Sequence, residues 1–335
     1  HPRSIFRAAI VLLTSLLLAG CMGPLLPEDC FEDEVYDPVD GVCYLACEVD
    51  DSCEAADTAF QRWLEAFAAN LSGFIAGEEA PEYVLIRYDV AGNRLTNPEL
   101  GESYSRREDR LQADRAAHLE MWQEFTALIP ASYRQDIAGF SVFTDGVEGT
   151  FAYVEPDEAD PTRWVLALDI IDARDAEEQL HTLIHEFGHI LTLNDRQVPF
   201  DEGAYYAEDD FEYQEIAAAC RTYFTGEGCS EAHSYIYLFY VRFWPEIADE
   251  HAFIAPDDEE ALYDFYEQYA DQFVSDYAAT DPTEDIAESW TQFVLHPKPA
   301  GMTIADQKVR FFYEFPELVE LRRQILGRLY ADARR

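Results

Sequence analysis

The sequence predicts an α+β fold, a small mixed sheet followed by a mainly helical C-terminal half. Three observations carry this. Short runs with strand character crowd between residues 81 and 171, while from about residue 205 onward the apolar spacing is mostly helical and rich in Tyr and Phe. With 335 residues, 48% of them hydrophobic and 14% aromatic, the chain can bury the core of one large domain or two modest ones.

In chain order, "AADTAFQRWLEAFAANLSGF" (55–74) spaces Phe60, Trp63, Leu64, Phe67 and Leu71 as one face of a helix. "PEYVLIRYDV" (81–90) reads as a strand, and "AGNRLTNPELG" (91–101) after it reads as a turn-rich connection. A single helical pattern covers roughly 104–129, polar at first, then apolar from Leu119 to Ile129, and Pro130 stops it. "GFSVFTDG" (139–146) and "GTFAYVEP" (149–156) are short strands, "DEADPTR" (157–163) is a turn, and "WVLALDII" (164–171) is a further strand. No internal repeat, low-complexity linker or second membrane segment is present in the pattern.

The first twenty residues stand apart. Arg3 and Arg7 precede an apolar run from Ala8 to Ala19, which ends in Leu18-Ala19-Gly20-Cys21. A basic head, a short apolar stretch and small residues describe an export signal, too short to span a membrane comfortably. The ending resembles a bacterial lipobox, which makes Cys21 the expected lipidation site and lipid-anchored N-terminus. The expected location is then the bacterial cell envelope, and Met22 after the cysteine resembles the outer-membrane sorting pattern of a diderm host. The expected layout is a lipoprotein signal peptide at 1–20, a Cys-rich acidic segment at 21–56 and a main domain at 57–335.

Export changes how the other six cysteines read, since an even number in an oxidising compartment implies disulfides. Cys30, Cys43, Cys47 and Cys53 share an acidic stretch with little apolar periodicity, and four cysteines allow three pairings. No CxxC pair is present there, which disfavours a zinc knuckle. Cys220 and Cys229 flank "RTYFTGEG", a loop that can close as a local bridge.

The formal net charge is −44, and removing residues 1–20 takes away two arginines and no acid. Such a surface repels nucleic acid and anionic membranes, so nucleic-acid binding is excluded as an expected activity.

"HTLIHEFGHI" (181–190) holds the chemistry. Asp175 can cap the helix that contains it, with Glu177 and Glu178 near the positive N-terminus, and Leu180, Leu183, Ile184, Phe187, Ile190 and Leu191 form its buried stripe. Residues four apart on a helix are offset by about 40° and about 6 Å, so His185 and His189 point the same way, as two imidazoles binding one metal ion must. Glu186 lies about 100° round from His185, off the ligand line but within reach of a water activated by the metal. His181 has no glutamate partner and reads as a supporting or solvent-facing residue. Satisfied histidines on a core helix are the bland alternative.

Catalytic zinc takes three protein ligands and leaves a position open, and no third histidine follows His189 at the required spacing. The best distant source is "FVSDYAATDPTEDIAESWTQFV" (273–294), where Glu284 and Glu288 lie four apart on one helix face. One could bind the metal while the other orients a ligand histidine. Asp281-Pro282-Thr283-Glu284 equally fits a capping box with Glu284 folded back onto the helix start, which would leave Glu288 as ligand. Glu215 in "YQEIAAAC" is a weaker choice.

"HEFGH" followed distantly by "YAATDPTEDIAE" resembles the gluzincin (HExxH…E) zinc metallopeptidases, closest to the anthrax lethal factor-like group. The resemblance covers about forty residues in two blocks. It implies a zincin-like metallopeptidase domain with one Zn2+ held by His185, His189 and Glu284. It further implies Glu186 as general base, Tyr277 as an aid to catalysis, and Glu288 as support to the ligands. His189 and Glu284 are farther apart than is usual for that group, and an inserted helical subdomain carrying Cys220 and Cys229 accounts for the gap. The wider zincin pattern implies that "WVLALDII" is the sheet edge above a cleft, where an extended peptide or protein substrate adds as a strand. The alternatives are a non-catalytic zinc-containing surface binding protein and a hydrolase of a non-peptide bond, although the presence of Glu186 speaks for chemistry.

Overall fold

A computed structural model describes residues 34–37, 42–45, 59–69, 71, 83–146, 150–174, 176–207, 209–255 and 258–333. Cys21, Cys30, Cys47, Cys53 and Asp175 lie outside them. The chain divides into two units after Gln61. In the first, β1 (Glu34–Asp37) and β2 (Val42–Leu45) pair antiparallel, Glu34 opposite Leu45, with Cys43 on β2. Helix α1 (Ala59–Ala68) carries the chain across the division and buries Phe60 and Leu64, four residues apart on one face.

The second unit is organised on a five-stranded mixed sheet. In spatial order it runs β4 (Arg94–Leu100), β3 (Ile86–Ala91), β5 (Ile137–Phe143), β7 (Trp164–Asp169) and β6 (Ala152–Pro156). Only β5 and β7 run parallel; the other neighbours are antiparallel.

Two readings of the sequence change here. Residues 94–100 form a strand, not a turn-rich connection. Gly92 at φ +66 and Asn93 make a two-residue hairpin loop, with Ala91 opposite Arg94. Strand β4 is exposed along most of its length, so no apolar alternation marks it. "WVLALDII" is not the sheet edge. Strand β7 lies between β5 and β6 and is buried at every position, as a continuous apolar run requires. The edge on that side is β6, half-buried except at exposed Glu155, and β4 is the other edge.

The helical pattern at 104–129 breaks at Asp114 into α2 (Arg106–Ala113) and α3 (Arg115–Leu128). Asp114 ends the first helix through its N–H on Leu111 O and begins the second by accepting from Ala117 N. Helix α3 lays Trp122 against Phe140 of β5, ring centroids 5.4 Å apart, and His118 Nδ1 meets the Tyr88 hydroxyl of β3 at 2.7 Å.

The remaining helices are α4 (Ala176–Leu193), α5 (Glu202–Tyr205), α6 (Asp210–Ala219), α7 (Tyr235–Phe243), α8 (Ala248–His251), α9 (Glu259–Gln268), α10 (Pro282–Leu295), α11 (Ile304–Phe311) and α12 (Pro316–Ala333). Helix α10 is central, with Ile286, Ala287, Trp290, Phe293, Val294 and Leu295 fully buried. It packs on α4, while Trp290 and Phe293 stack around Phe312. Beside it, Lys308 of α11 is fully buried and paired with Asp285 of α10, which also accepts from Trp244 Nε1 at 2.8 Å. The Lys308 ammonium stands 4.0 Å from the Phe273 ring centroid. Among the described residues no helix is long and apolar enough to cross a membrane.

Candidate metal centre

Helix α4 is held by its buried stripe, Leu183, Ile184, Phe187 and Ile190. Its partner α10 starts at Asp281, whose side chain accepts from Thr283 N at 2.7 Å, with Pro282 as the first helical residue. The two helices approach closely at Gly188. A Cβ there would lie 2.9 Å from Trp290 Cδ1 and 3.3 Å from Ala287 Cα, so any larger residue would force these neighbours to shift.

This approach brings the histidines of α4 against the glutamates of α10. Glu284 Oε2 lies 3.1 Å from His185 Nε2 and 3.3 Å from His189 Nε2, and the two Nε2 atoms are 3.0 Å apart. Asp281 makes the helix cap while the Glu284 carboxylate faces the imidazoles. On the far side of His185, Glu288 Oε1 meets Nδ1 at 2.8 Å, and Ser275 Oγ donates to Glu288 Oε2 at 2.6 Å. A proton on Nδ1 shared with Glu288 leaves the Nε2 lone pair directed at Glu284 and His189.

The donor set suits zinc. Two imidazole nitrogens and a carboxylate oxygen at ~2.0–2.1 Å from a tetrahedral ion stand about 3.3 Å from one another. The three ligand atoms here are 3.0, 3.1 and 3.3 Å apart. No other described residue joins this trio within ligand reach. Glu215 is exposed on α6, away from it.

Charge in the site is strongly coupled. Burial would push His185 down, yet hydrogen bonds to Glu284 and Glu288 outweigh it and hold the imidazole well above its ordinary value. Burial would raise Glu284, but the two histidines hold it well below the carboxylate range. Glu186 is buried, one carboxylate oxygen has no hydrogen-bond partner, and burial pushes its pKa up against the pull of both histidines. Tyr277, in a short 3-10 turn ahead of α10, places its ring centroid 5.8 Å from that of His185. Burial and then the charges of Glu284 and Glu186 push its hydroxyl well above the ordinary tyrosine value, and it hydrogen-bonds Glu284. His181 is buried, not solvent-facing, and burial pushes it down to about 4.

These groups open onto a cleft of about 210 Å³. Its walls include Thr150, Ala152, Tyr153 and Val154 from β6 and the chain before it, Leu193, Thr283, and Glu227. Leu193 and Thr283 follow from their places on α4 and α10 beside the ligands, whereas Glu227 and the residues of β6 were not expected from the sequence, because they reach the site through the return of the chain rather than through a local pattern. Cys220 and Cys229 form a disulfide, Cα atoms 5.5 Å apart, closing the loop that carries Glu227.

No protein-family model and no curated protein matches this sequence. Among solved structures, that of "a putative zinc-binding metallo-peptidase from Bacteroides caccae" is similar at 16% identity and a TM-score of 0.33, over 85% of this chain and 94% of that one.

Proposed function

We propose that this chain is a zinc-dependent metallopeptidase, with His185, His189 and Glu284 as the metal ligands. The observation that carries the reading is the convergence of three ligand atoms from α4 and α10 beside a buried carboxylate that has an oxygen to spare, Glu186. Held there, a zinc ion would supply Lewis acidity, polarising a carbonyl and bringing the pKa of water toward ~7. Glu186 takes a proton from the attacking water and passes it to the leaving amine, and its raised pKa suits both steps. Tyr277, on the cleft wall, donates to the developing oxyanion. Glu288, braced by Ser275, holds His185 in the tautomer that presents Nε2.

A peptide substrate is favoured by strand β6. It is the sheet edge that lines the cleft, and an extended chain can add to it as a further strand. The same reading takes the protein as exported and lipid-anchored at Cys21, with labelled fatty acid on wild type and none on Cys21→Ala as its check.

The test is Glu186→Gln in the full chain. It keeps shape but cannot accept the proton, so about one zinc per chain should remain while cleavage of a random-peptide pool falls ~10²–10⁴-fold. His185→Ala should lose the zinc. A wild-type protein that cuts no peptide pool, or a Gln variant that cuts as well as wild type, sinks the reading.

A further inference from the structure

The cleft holds a carboxylate that neither metal binding nor proton transfer uses. Glu227 lines it together with His189, Leu193 and Thr283. Its loop is held rigidly. Cys220 and Cys229 are bridged, Phe224 and Cys229 form an antiparallel bridge, and Thr225 N donates to Gly228 O at 3.1 Å. Asp201 N donates to Glu227 O at 2.9 Å, tying the loop to the start of α5. Gly226 turns the chain at φ +106, and at Gly228 a Cβ would lie 2.2 Å from Pro199 O, so the loop is pressed against that segment.

The side chain is fixed as well. The Thr225 hydroxyl donates to Glu227 Oε2 at 2.9 Å, and among the described residues no lysine or arginine pairs with it. An aligned, half-buried carboxylate with no lysine or arginine beside it is an acceptor with which a cationic ligand side chain can pair. The net charge of −44 adds a long-range attraction for cationic chains.

We infer that Glu227 is a specificity-determining residue that seats an arginine or lysine side chain of the peptide substrate beside the metal centre. The inference rests on the peptidase reading and names its substrate class.

The experiment uses the full, zinc-loaded chain in the Glu186→Gln background, which binds peptide without consuming it. Affinities are measured by fluorescence anisotropy for a peptide set with arginine, its neutral isostere citrulline, or glutamate scanned through each position. The same set is then offered to the enzyme with Glu186 intact. Arginine should bind at least about tenfold better than citrulline at one position. Adding Glu227→Gln should erase that preference with zinc content unchanged, and adding Glu227→Lys should shift it toward glutamate. Persistence of the arginine preference in Glu227→Gln, or its absence from the parent, overturns the inference. If peptides are bound and cut without regard to charge, this inference falls alone. If none is bound or cut, the peptidase reading falls and takes it along.

Discussion

Replacing Gly188 with alanine tests whether the separation of α4 and α10 sets the metal site. The added Cβ would stand 2.9 Å from Trp290 Cδ1 and 3.3 Å from Ala287 Cα. Trp290 is fully buried and Ala287 Cα is backbone, so neither can simply swing away. Overpacking of this kind costs about 1–3 kcal/mol, while alanine regains about 1 kcal/mol of helix propensity over glycine. The expected net loss is up to about 2 kcal/mol, or a Tm lower by as much as roughly 4–8 °C for a domain of this size. The displacement is not neutral for the site. His185 lies one turn before Gly188 and Glu284 one turn before Ala287, so pushing the helices apart separates the ligands. Zinc affinity should fall about tenfold or more, as it does when ligand support is disturbed. Calorimetry of chelated protein gives the first quantity and competition with a chromophoric chelator the second. Trimming the obstacle with Trp290→Phe should recover part of both, a coupling of about 0.5–3 kcal/mol. If Gly188→Ala raises the Tm and leaves zinc affinity untouched, the close approach does not govern the site.

Glu284→Gln should cost most of the zinc, because it removes the anionic ligand, whereas Glu288→Gln should weaken binding only about 10–100-fold; zinc content of the two variants side by side decides, and the reverse order would move the ligand one turn along α10. In chelated protein, the raised pKa of His185 contributes stability that is present below its ordinary 6.5 and lost as pH climbs through the folded value. The lowered values of Glu284 and Glu288 contribute stability present above their ordinary 4.5 and lost as pH falls, so the Tm of chelated protein should peak between these limits. The extra Tm gained on adding zinc should grow with pH, since protons on His185 compete with the metal. Lys308→Met should cost about 3–5 kcal/mol in denaturant melts, because it strands Asp285 in the core; a loss under about 1 kcal/mol would show that the pair contributes little.

Much of the site is local in origin, and that part is legible in the sequence. The stripe of Leu183, Ile184, Phe187 and Ile190 places α4, and four-residue spacing orients its histidines. Asp281-Pro282 starts α10 where expected. What the residues alone left open between Glu284 as cap and Glu284 as ligand is a question of what lies opposite the helix start, and that is tertiary. The same limit explains the sheet. The apolar run of β7 identifies a strand buried on both faces, and it was the resemblance, not the run, that implied an edge position. Strand β4 was missed because its exposed polar residues, Pro98 among them, carry no period, although Gly92-Asn93 is itself a hairpin loop. Lys308 looks like a surface lysine until Asp285 is brought beside it. Glu227, within "TGEG", looks like the tip of a surface turn until the chain folds back over the cleft.

The packing of α4 on α10 means that the polypeptide leaves the centre after His189 and returns to the same place at Glu284. Everything between, from α5 through α9, is a detour whose two ends are already held together. Closing a longer detour costs little, about 0.6 kcal/mol for each doubling of its length. The exposed connections of the detour can therefore change in length while the two helices that meet at Gly188 stay as they are, provided that α7 and Trp244, which donates to buried Asp285, keep their place against α10. The reactive groups sit on α4, α10 and the turn before it, whereas Glu227 sits on the disulfide-closed loop of the detour, so exchanging residues 221–228 between the two cysteines would be expected to move selectivity without moving chemistry.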